Sequence, residues 1–354
     1  MSEKTTIALF QRDFQVGGIQ KALLNTLDRL DYDRYAVDVY VFDDKPFYPL
    51  PVHDGLRYIL CRPWPYWTRF VDFDLLLRHG RIPELEPKPY DLAVDFNSYS
   101  SECAVGALRA AAKKRVMWIH NDMRIKYQSE KKYRILWHFF RKKFSRFDAF
   151  AAVSEGIIPG FRAMTGLNSA PVTAVPNAID TEEIFRKAEE ATDFAVDPGQ
   201  YNLCSMGRLV HQKGFDLLLA DFARVCQVRT DMHLYLIGDG PERGALEAQI
   251  AELHLEEHVT LLGSLANPFP ALRQMDGFAL TSRYEGQGIV LWEAKALGLE
   301  LFMAKRLEQY NPGLRGHEDI VPPLCAAEKR EKTYDDLSAY NRAAAAALDA
   351  LFTT

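Results

Sequence analysis

The chain has 354 residues, of which 48% are hydrophobic and 26% charged, and carries a formal net charge of −5. That length exceeds one comfortable core and predicts two domains. The composition is that of a soluble globular protein, and the negative balance argues against a dedicated nucleic-acid binder. The five cysteines (Cys61, Cys103, Cys204, Cys226, Cys325) are scattered without a C-x-x-C pair and read as reduced thiols, mostly core filler, in a cytosolic protein. Met-Ser-Glu-Lys leads straight into a short strand, so no signal peptide is expected. No apolar run approaches the roughly 20 residues of a membrane span. The expected location is the cytoplasm, or a membrane surface without crossing it.

Thr5–Phe10 reads as an opening buried strand, followed by a loop with the pair Gly17-Gly18 and a helix with Ile19, Ala22, Leu23, Leu27 and Leu30 on one face. A glycine pair between strand and helix allows a ligand to approach the backbone at the helix start; a plain tight turn is the alternative. Further strands are expected at Ala36–Phe42, Leu56–Leu60, Asp91–Phe96, Arg115–Ile119 and Phe147–Val153, with helices between several of them. Such alternation implies a parallel, doubly wound sheet. Asp31-Tyr32-Asp33 and Asp72-Phe73-Asp74 follow no buried strand and read as solvated carboxylates, not metal ligands. His120 and Asp122 stand after the strand ending Trp118-Ile119, at the edge where parallel sheets place their ligands. Glu130–Phe147 interleaves Lys131, Lys132, Arg134, Arg141, Lys142, Lys143 and Arg146 with Ile135, Leu136, Trp137, Phe139, Phe140, Phe144 and Phe147. A basic, aromatic helix suits an anionic membrane surface; a core-packed helix with a solvated basic side is the alternative. Pro176-Asn177 halts regular structure, and the first domain is expected to end at Asp180.

Tyr201–Met206 begins a second sheet and runs into Gly207-Arg208-Leu209-Val210-His211-Gln212-Lys213-Gly214. Arg208 and Lys213, on one strand-to-helix loop, can both reach a diphosphate, one as a planar fork and the other as a point charge. Met232–Ile237 is the next strand. It ends in Gly238-Asp239-Gly240-Pro241, a poor dinucleotide fingerprint because its third glycine comes late and Asp239 would repel a pyrophosphate. After strands Val259–Gly263 and Gly277–Thr281 comes the turn Ser282-Arg283-Tyr284-Glu285-Gly286-Gln287-Gly288, then a helix from Ile289 to Leu297. Free amides and the positive helix end make such a turn an anion site. Glu285 lies at its mouth and Glu293 about a turn and a half down the helix. The two carboxylates suit a nucleotide-sugar, one for sugar hydroxyls and one for the ribose diol, with the amides on the diphosphate; the alternative is a pair of glutamates decorating a helix start. An alanine-rich helix closes the chain at roughly Asp335–Phe352.

The run E-G-x-G-x4-E-A-x-A-L-G-L from Glu285 to Leu299, together with G-R-L-x-x-x-K-G from Gly207, resembles the retaining GT-B glycosyltransferases of family four, and the other pieces follow in order over most of the chain. The resemblance implies two Rossmann-like domains facing a cleft: residues 1–180 for the acceptor, 181–334 for the nucleotide-sugar, and a helix at 335–354 packing back across them. It implies transfer of a sugar from a nucleoside diphosphate donor, UDP by default, to an acceptor hydroxyl, with retention, no metal and no separate cofactor. By the same resemblance Arg208 and Lys213 hold the diphosphate, Glu285 contacts the donor sugar, and Glu293 contacts the ribose. Gly286, Gln287, Gly288 and Ile289 offer amides to the phosphates, Gly17 and Gly18 face donor phosphates and acceptor, and His120 borders the sugar. The expected partners are a saccharide or lipid-linked acceptor and, through residues 130–147, the inner face of the cell membrane. Two departures are visible: Gln20 where an acid is common, and Glu300, where proline is common, leading into Lys305–Gly313. The latter variant resembles some bacterial cell-surface polysaccharide transferases. A non-catalytic, nucleotide-sugar-binding partner subunit is the alternative.

Overall fold

The computed structural model describes residues 4–15, 17–43 and 45–353; Met1–Glu3 and Val16, at the expected chain start and glycine loop, lie outside the described residues. The chain divides into two compact units, one running to Ala178 and taking in the residues from Tyr340 onward, the other Ile179–Ala339.

The first unit holds strands β1 (Thr5–Gln11), β2 (Tyr35–Val41), β3 (Leu56–Leu60), β4 (Pro89–Asp95), β5 (Ala111–Ile119), β6 (Ala149–Ala152) and β7 (Val172–Ala174). They form one parallel sheet in the order β3-β2-β1-β4-β5-β6-β7. Helices α1 (Gly18–Arg29), α2 (Phe73–His79), α3 (Ser101–Arg109), α4 (Met123–Ser129), α5 (Lys131–Phe140) and α6 (Ile158–Thr165) fall between the strands. Nearly continuous apolar strands, such as Ile7–Phe10 and Leu92–Val94, are buried on both faces, as a helix-covered parallel sheet requires.

The second unit runs α7 (Thr181–Ala188), β8 (Tyr201–Met206), α8 (Phe215–Cys226), β9 (Met232–Ile237), α9 (Arg243–Glu252), β10 (Val259–Gly263), α10 (Phe269–Leu272), β11 (Gly277–Leu280), α11 (Ile289–Ala296), β12 (Glu300–Met303) and α12 (Val321–Cys325). Its sheet is parallel, in the order β10-β9-β8-β11-β12. Leu203, Leu218, Leu219, Phe222, Leu234, Leu236 and Ala279 form the centre of its core. Both orders reverse direction once, between β1 and β4 in the first sheet and between β8 and β11 in the second. At such a reversal the loops leaving the two strands diverge and open a crevice at the carboxyl edge.

Four expectations need correction. Glu300, the residue in place of the common proline, opens an unexpected edge strand, β12. Its carboxylate accepts hydrogen bonds from Arg330 and Tyr201, at the end of the sheet opposite the β11–α11 turn. The stretch 130–147 is not one surface helix: α5 tightens at Arg141 into a 3-10 turn, Arg141–Arg146, and Trp137, Phe140, Phe144 and Phe147 are core residues. Lys143, one of its seven cations, is completely buried. Asp72 and Asp74 are not simply solvated, since Asp72 caps α2 and both bond Lys142, Asp74 also pairing with Arg146. The closing helix, α13, spans Ser338–Thr353, and Asp335 before it pairs with Lys295. From Tyr340 on, α13 belongs to the first unit, where Leu351 and Phe352 are buried and Asp349 pairs with Arg34 at 2.7 Å.

Candidate functional site

In the second unit the residues singled out from the sequence converge on the sheet reversal. The loop leaving β8 carries Arg208 and, in a short 3-10 turn ending at Gly214, Lys213. The loop leaving β11 carries Glu285. Gly214 turns the chain left-handed at φ 65°, and a Cβ there would lie 2.5 Å from the Thr281 carbonyl, so only glycine lets the two loops approach. They are then stitched together. Arg283 N–H donates to the Gln212 carbonyl at 2.8 Å, and the Gln212 side chain donates to the Tyr284 carbonyl at 3.1 Å. Thr281 Oγ1 donates to the Gly214 carbonyl at 2.8 Å, and Arg283 grips Asp216 with both arms of its fork. The outcome is a direct ion pair: Lys213 Nζ lies 2.7 Å from Glu285 Oε1, which also accepts from Ser282 Oγ at 2.7 Å. Glu285 is only 4% exposed. A carboxylate so buried needs such partners, because an unpaired one would lose its hydration without return.

Arg208 is exposed and makes no ion pair among the described residues. Its loop is held from below by the glycine turn after β9. A Cβ at Gly238 would meet the Gly207 carbonyl at 2.0 Å and one at Gly240 the Leu209 carbonyl at 2.4 Å, while Leu209 N–H donates to the Asp239 carbonyl at 3.0 Å. Gly286, Gln287 and Gly288 are buried in the turn, Ile289 opens α11, and Glu293 is half-buried within it. Two of the expected phosphate amides are already engaged. Gly288 N–H donates to Asn311 Oδ1 at 3.0 Å, and Ile289 N–H to the Gln287 carbonyl at 3.1 Å. Asn311, fully buried, is itself anchored by donating to the Leu307 carbonyl at 3.0 Å. It stands in the 305–313 segment that departs from the family pattern, which is the only trace the sequence offers of it. Arg306 in the same segment donates to the Ser282 and Thr281 carbonyls.

The remaining candidates lie in the first unit. Gly17 and Gly18 open α1; Gly18 has open space where a Cβ would stand, and Gln20 donates to Asp13 Oδ1 at 2.6 Å. His120 follows β5 and is buried against Phe96, donating from Nε2 to the Phe96 carbonyl at 2.7 Å. Burial pushes its pKa down to about 4, so the ring is neutral at pH 7 with Nδ1 as its acceptor nitrogen. Asp122 caps α4 through the Arg124 and Ile125 amides. Because the folded state resists protonating His120, its contribution is fully present above pH 6.5 and is lost as pH falls toward 4. A His120→Asn variant is therefore expected to show a flatter stability profile than wild type across that window, by on the order of 3 kcal/mol in total. Urea unfolding at several pH values checks it, and equal slopes would refute it. Among the described residues, no three His, Cys, Asp or Glu side chains are grouped to hold a metal.

Family models match both units. One, described as Glycosyltransferase Family 4, covers residues 16–183; the other, Glycosyl transferases group 1, covers residues 186–305. With two parallel α/β units, each matched by its model, the chain has the fold and domain pair of the GT-B group 1 glycosyltransferases. A curated relative in Campylobacter jejuni, N-acetylgalactosamine-N,N'-diacetylbacillosaminyl-diphospho-undecaprenol 4-alpha-N-acetylgalactosaminyltransferase, is 40% identical over 120 residues, 34% of this chain and 31% of the relative. The lipopolysaccharide core biosynthesis mannosyltransferase LpsB of Rhizobium meliloti is 28% identical over 187 residues, 51% of each chain. The chain thus spans 31% of the first relative's length and 51% of the second's. Among solved structures, Anabaena HepE in complex with UDP and glucose superposes with a TM-score of 0.60 at 16% identity, covering 99% of this chain and 95% of HepE. A mutant of S. aureus TarM, in complex with Fondaparinux, alpha-GlcNAc-glycerol and UDP, gives 0.62 at 11%, covering 99% and 96%. At such identities the likeness is one of fold.

Proposed function

We propose that the chain transfers a sugar, with retention, from a nucleoside diphosphate sugar to a hydroxyl of a saccharide or lipid-linked acceptor in cell-surface polysaccharide or glycolipid synthesis. A UDP-sugar is the first donor to try, since HepE and TarM were both solved with UDP. The observation that carries the reading is the Lys213–Glu285 pair at the β8/β11 reversal, with Arg208, which makes no ion pair among the described residues, on the same loop as Lys213. Breaking the bond to the sugar leaves negative charge on the departing diphosphate. A fork and an ammonium fixed on one rigid loop can neutralise that charge, the work a divalent metal performs elsewhere. As Lys213 turns to the phosphates, Glu285 is freed to accept hydrogen bonds from sugar hydroxyls. Glu293 is the candidate for the ribose diol. Neutral His120 is the first unit's candidate acceptor for a sugar hydroxyl. No helix among the described residues is long and apolar enough to cross a membrane, and the proposed workplace is the cytoplasm or the inner face of the cell membrane.

Calorimetric titration with UDP, GDP and ADP, on wild type and on an Arg208→Ala, Lys213→Ala variant, tests the reading, followed by assay of donor hydrolysis. One nucleotide is expected to bind wild type and not the variant, and its sugar donors to turn over slowly. Binding without turnover, acceptor extracts included, would leave a nucleotide-sugar-binding partner subunit. No binding of any of the three would remove the site assignment.

A further inference from the structure

The first sheet has a crevice of its own at the β1/β4 reversal, and a pocket of about 200 Å³ opens there. Arg12 enters it from the loop after β1, Asn97 and Tyr99 from the loop after β4, Ser101 from the start of α3, Lys126 from α4, Lys132 from α5 and Arg69 from the turn Tyr66–Phe70. Four cations face one lining carboxylate, Glu130, in a chain whose net charge is −5. Their pairing is incomplete. Lys126 bonds Glu130 at 2.8 Å, and Arg12 Nε stays 3.7 Å from Asp13 and 3.8 Å from Glu102, too far for hydrogen bonds. Arg69 and Lys132 have no carboxylate partner among the described residues. Both instead lie on the Tyr66 ring, at 4.8 and 5.7 Å from its centroid, which holds their charge in place without neutralising it. Asn97 and Ser101, the latter at the positive end of α3, add neutral polar groups. The volume falls below the roughly 300–1,000 Å³ of sites that enclose drug-sized ligands, so a small anionic group fits and a whole nucleotide does not.

Next to the pocket, the turn Tyr66–Phe70 packs on α5 and leaves Tyr66, Trp67 and Phe70 exposed, Trp67 by 64%, with Ile135 of α5 beside them. Lys131, Arg134 and Arg141 are exposed on the same segment. Beside residues 130–147, from which membrane contact is expected, the 66–70 turn is a further candidate, since its amphipathic rings and cations border the pocket.

We propose that this pocket binds the phosphate group of the acceptor. The word acceptor rests on the transferase reading above; the anion site itself does not. Guanidinium and ammonium groups converging from four segments match a phosphate's several oxygens and its double charge. The carrier of that phosphate is a lipid or a soluble phosphorylated saccharide.

The test titrates inorganic pyrophosphate into UDP-saturated protein, comparing wild type, Arg69→Gln with Lys132→Gln, and a control, Lys131→Gln with Arg141→Gln, whose charges lie outside the pocket. Saturable binding is expected, weakened at least tenfold in the pocket variant and less than twofold in the control. No saturable binding, or equal loss in both variants, overturns the proposal. Should UDP itself fail to bind, the transferase reading falls. Pyrophosphate binding that survives Arg208→Ala but not the pocket variant then still upholds the anion site. Flotation with phosphatidylcholine vesicles, with and without phosphatidic acid, identifies the carrier. Retention that needs phosphatidic acid and is lost in a Trp67→Ser, Phe70→Ser variant assigns a lipid; pyrophosphate binding without retention assigns a soluble one. Either result upholds a phosphate site.

Discussion

Replacing Lys213 with methionine is expected to damage the protein twice over. It leaves Glu285, a buried carboxylate, with Ser282 as its remaining side-chain hydrogen-bond donor. Stranding one member of a buried ion pair costs about 3–5 kcal/mol, and the partial exposure of Lys213 argues for the lower end. The same change removes the charged contact to the diphosphate that the proposed function gives Lys213, worth about 1.5–3 kcal/mol, or about a 10- to 150-fold loss of nucleotide affinity. The two effects separate in a second variant. Adding Glu285→Gln removes the stranded charge and is expected to return much of the stability while leaving nucleotide affinity low. Urea unfolding and calorimetry on the same preparations check both. A Lys213→Met protein as stable as wild type would mean that the pair contributes nothing to holding the two loops.

The second large effect is expected in the first unit, beneath the lining of its pocket. Lys143 is fully buried beneath Phe140, its Nζ donating to the Ser98 and Ser100 carbonyls, with Asp95 the buried charge opposite. Burial lowers the pKa of the lysine and raises that of the aspartate, each moderated by the other's charge. Lys143→Met would leave two carbonyls and a buried carboxylate uncompensated, a loss of about 3–5 kcal/mol and a melting midpoint lower by about 10 °C. Asp95→Asn in the same chain is expected to recover part of that, since a neutral amide keeps the bond from Asn97 N–H while discarding the charge. A melting curve within about 1 °C of wild type would contradict the account. The loop that Lys143 ties down carries Asn97, Tyr99 and Ser101 into the anion pocket, so a milder substitution should also loosen pyrophosphate binding.

What could be read in advance followed from spacing along the chain. Glu285, the two glycines and Glu293 lie within one strand-turn-helix, and local pattern is enough to place them on it. So are Arg208 and Lys213, because β8 is a continuous apolar run and Gly214 marks where the helix begins. The pairing of Lys213 with Glu285 was not readable, since 72 residues separate them and only the β8/β11 neighbourhood brings them together. Lys143 misled for a geometric reason. Basic and aromatic residues interleave through 130–147 as on a two-faced surface helix, but at Arg141 the chain tightens to three residues per turn, which sets Lys143 directly under Phe140. Asn311 and β12 (Glu300–Met303) were hidden differently, in a segment where the family pattern gave out.

The return of α13 to the first unit governs how this protein could be taken apart. Tyr340 of that helix donates its hydroxyl to the Asn177 carbonyl at 2.9 Å, so the places where the chain leaves the first unit and re-enters it are neighbours. The second unit is therefore a cassette spliced into its host, not a tail added to it. Cutting the chain after Ala178 would strip Leu351 and Phe352 from their seats and bare an oily groove, inviting aggregation. Deleting 179–339 and bridging Ala178 to Tyr340 with a short glycine link would keep Leu351 and Phe352 on the host. Anyone exchanging the second unit for another must accordingly make two joints, and a chimera with one joint would begin life with a helix missing.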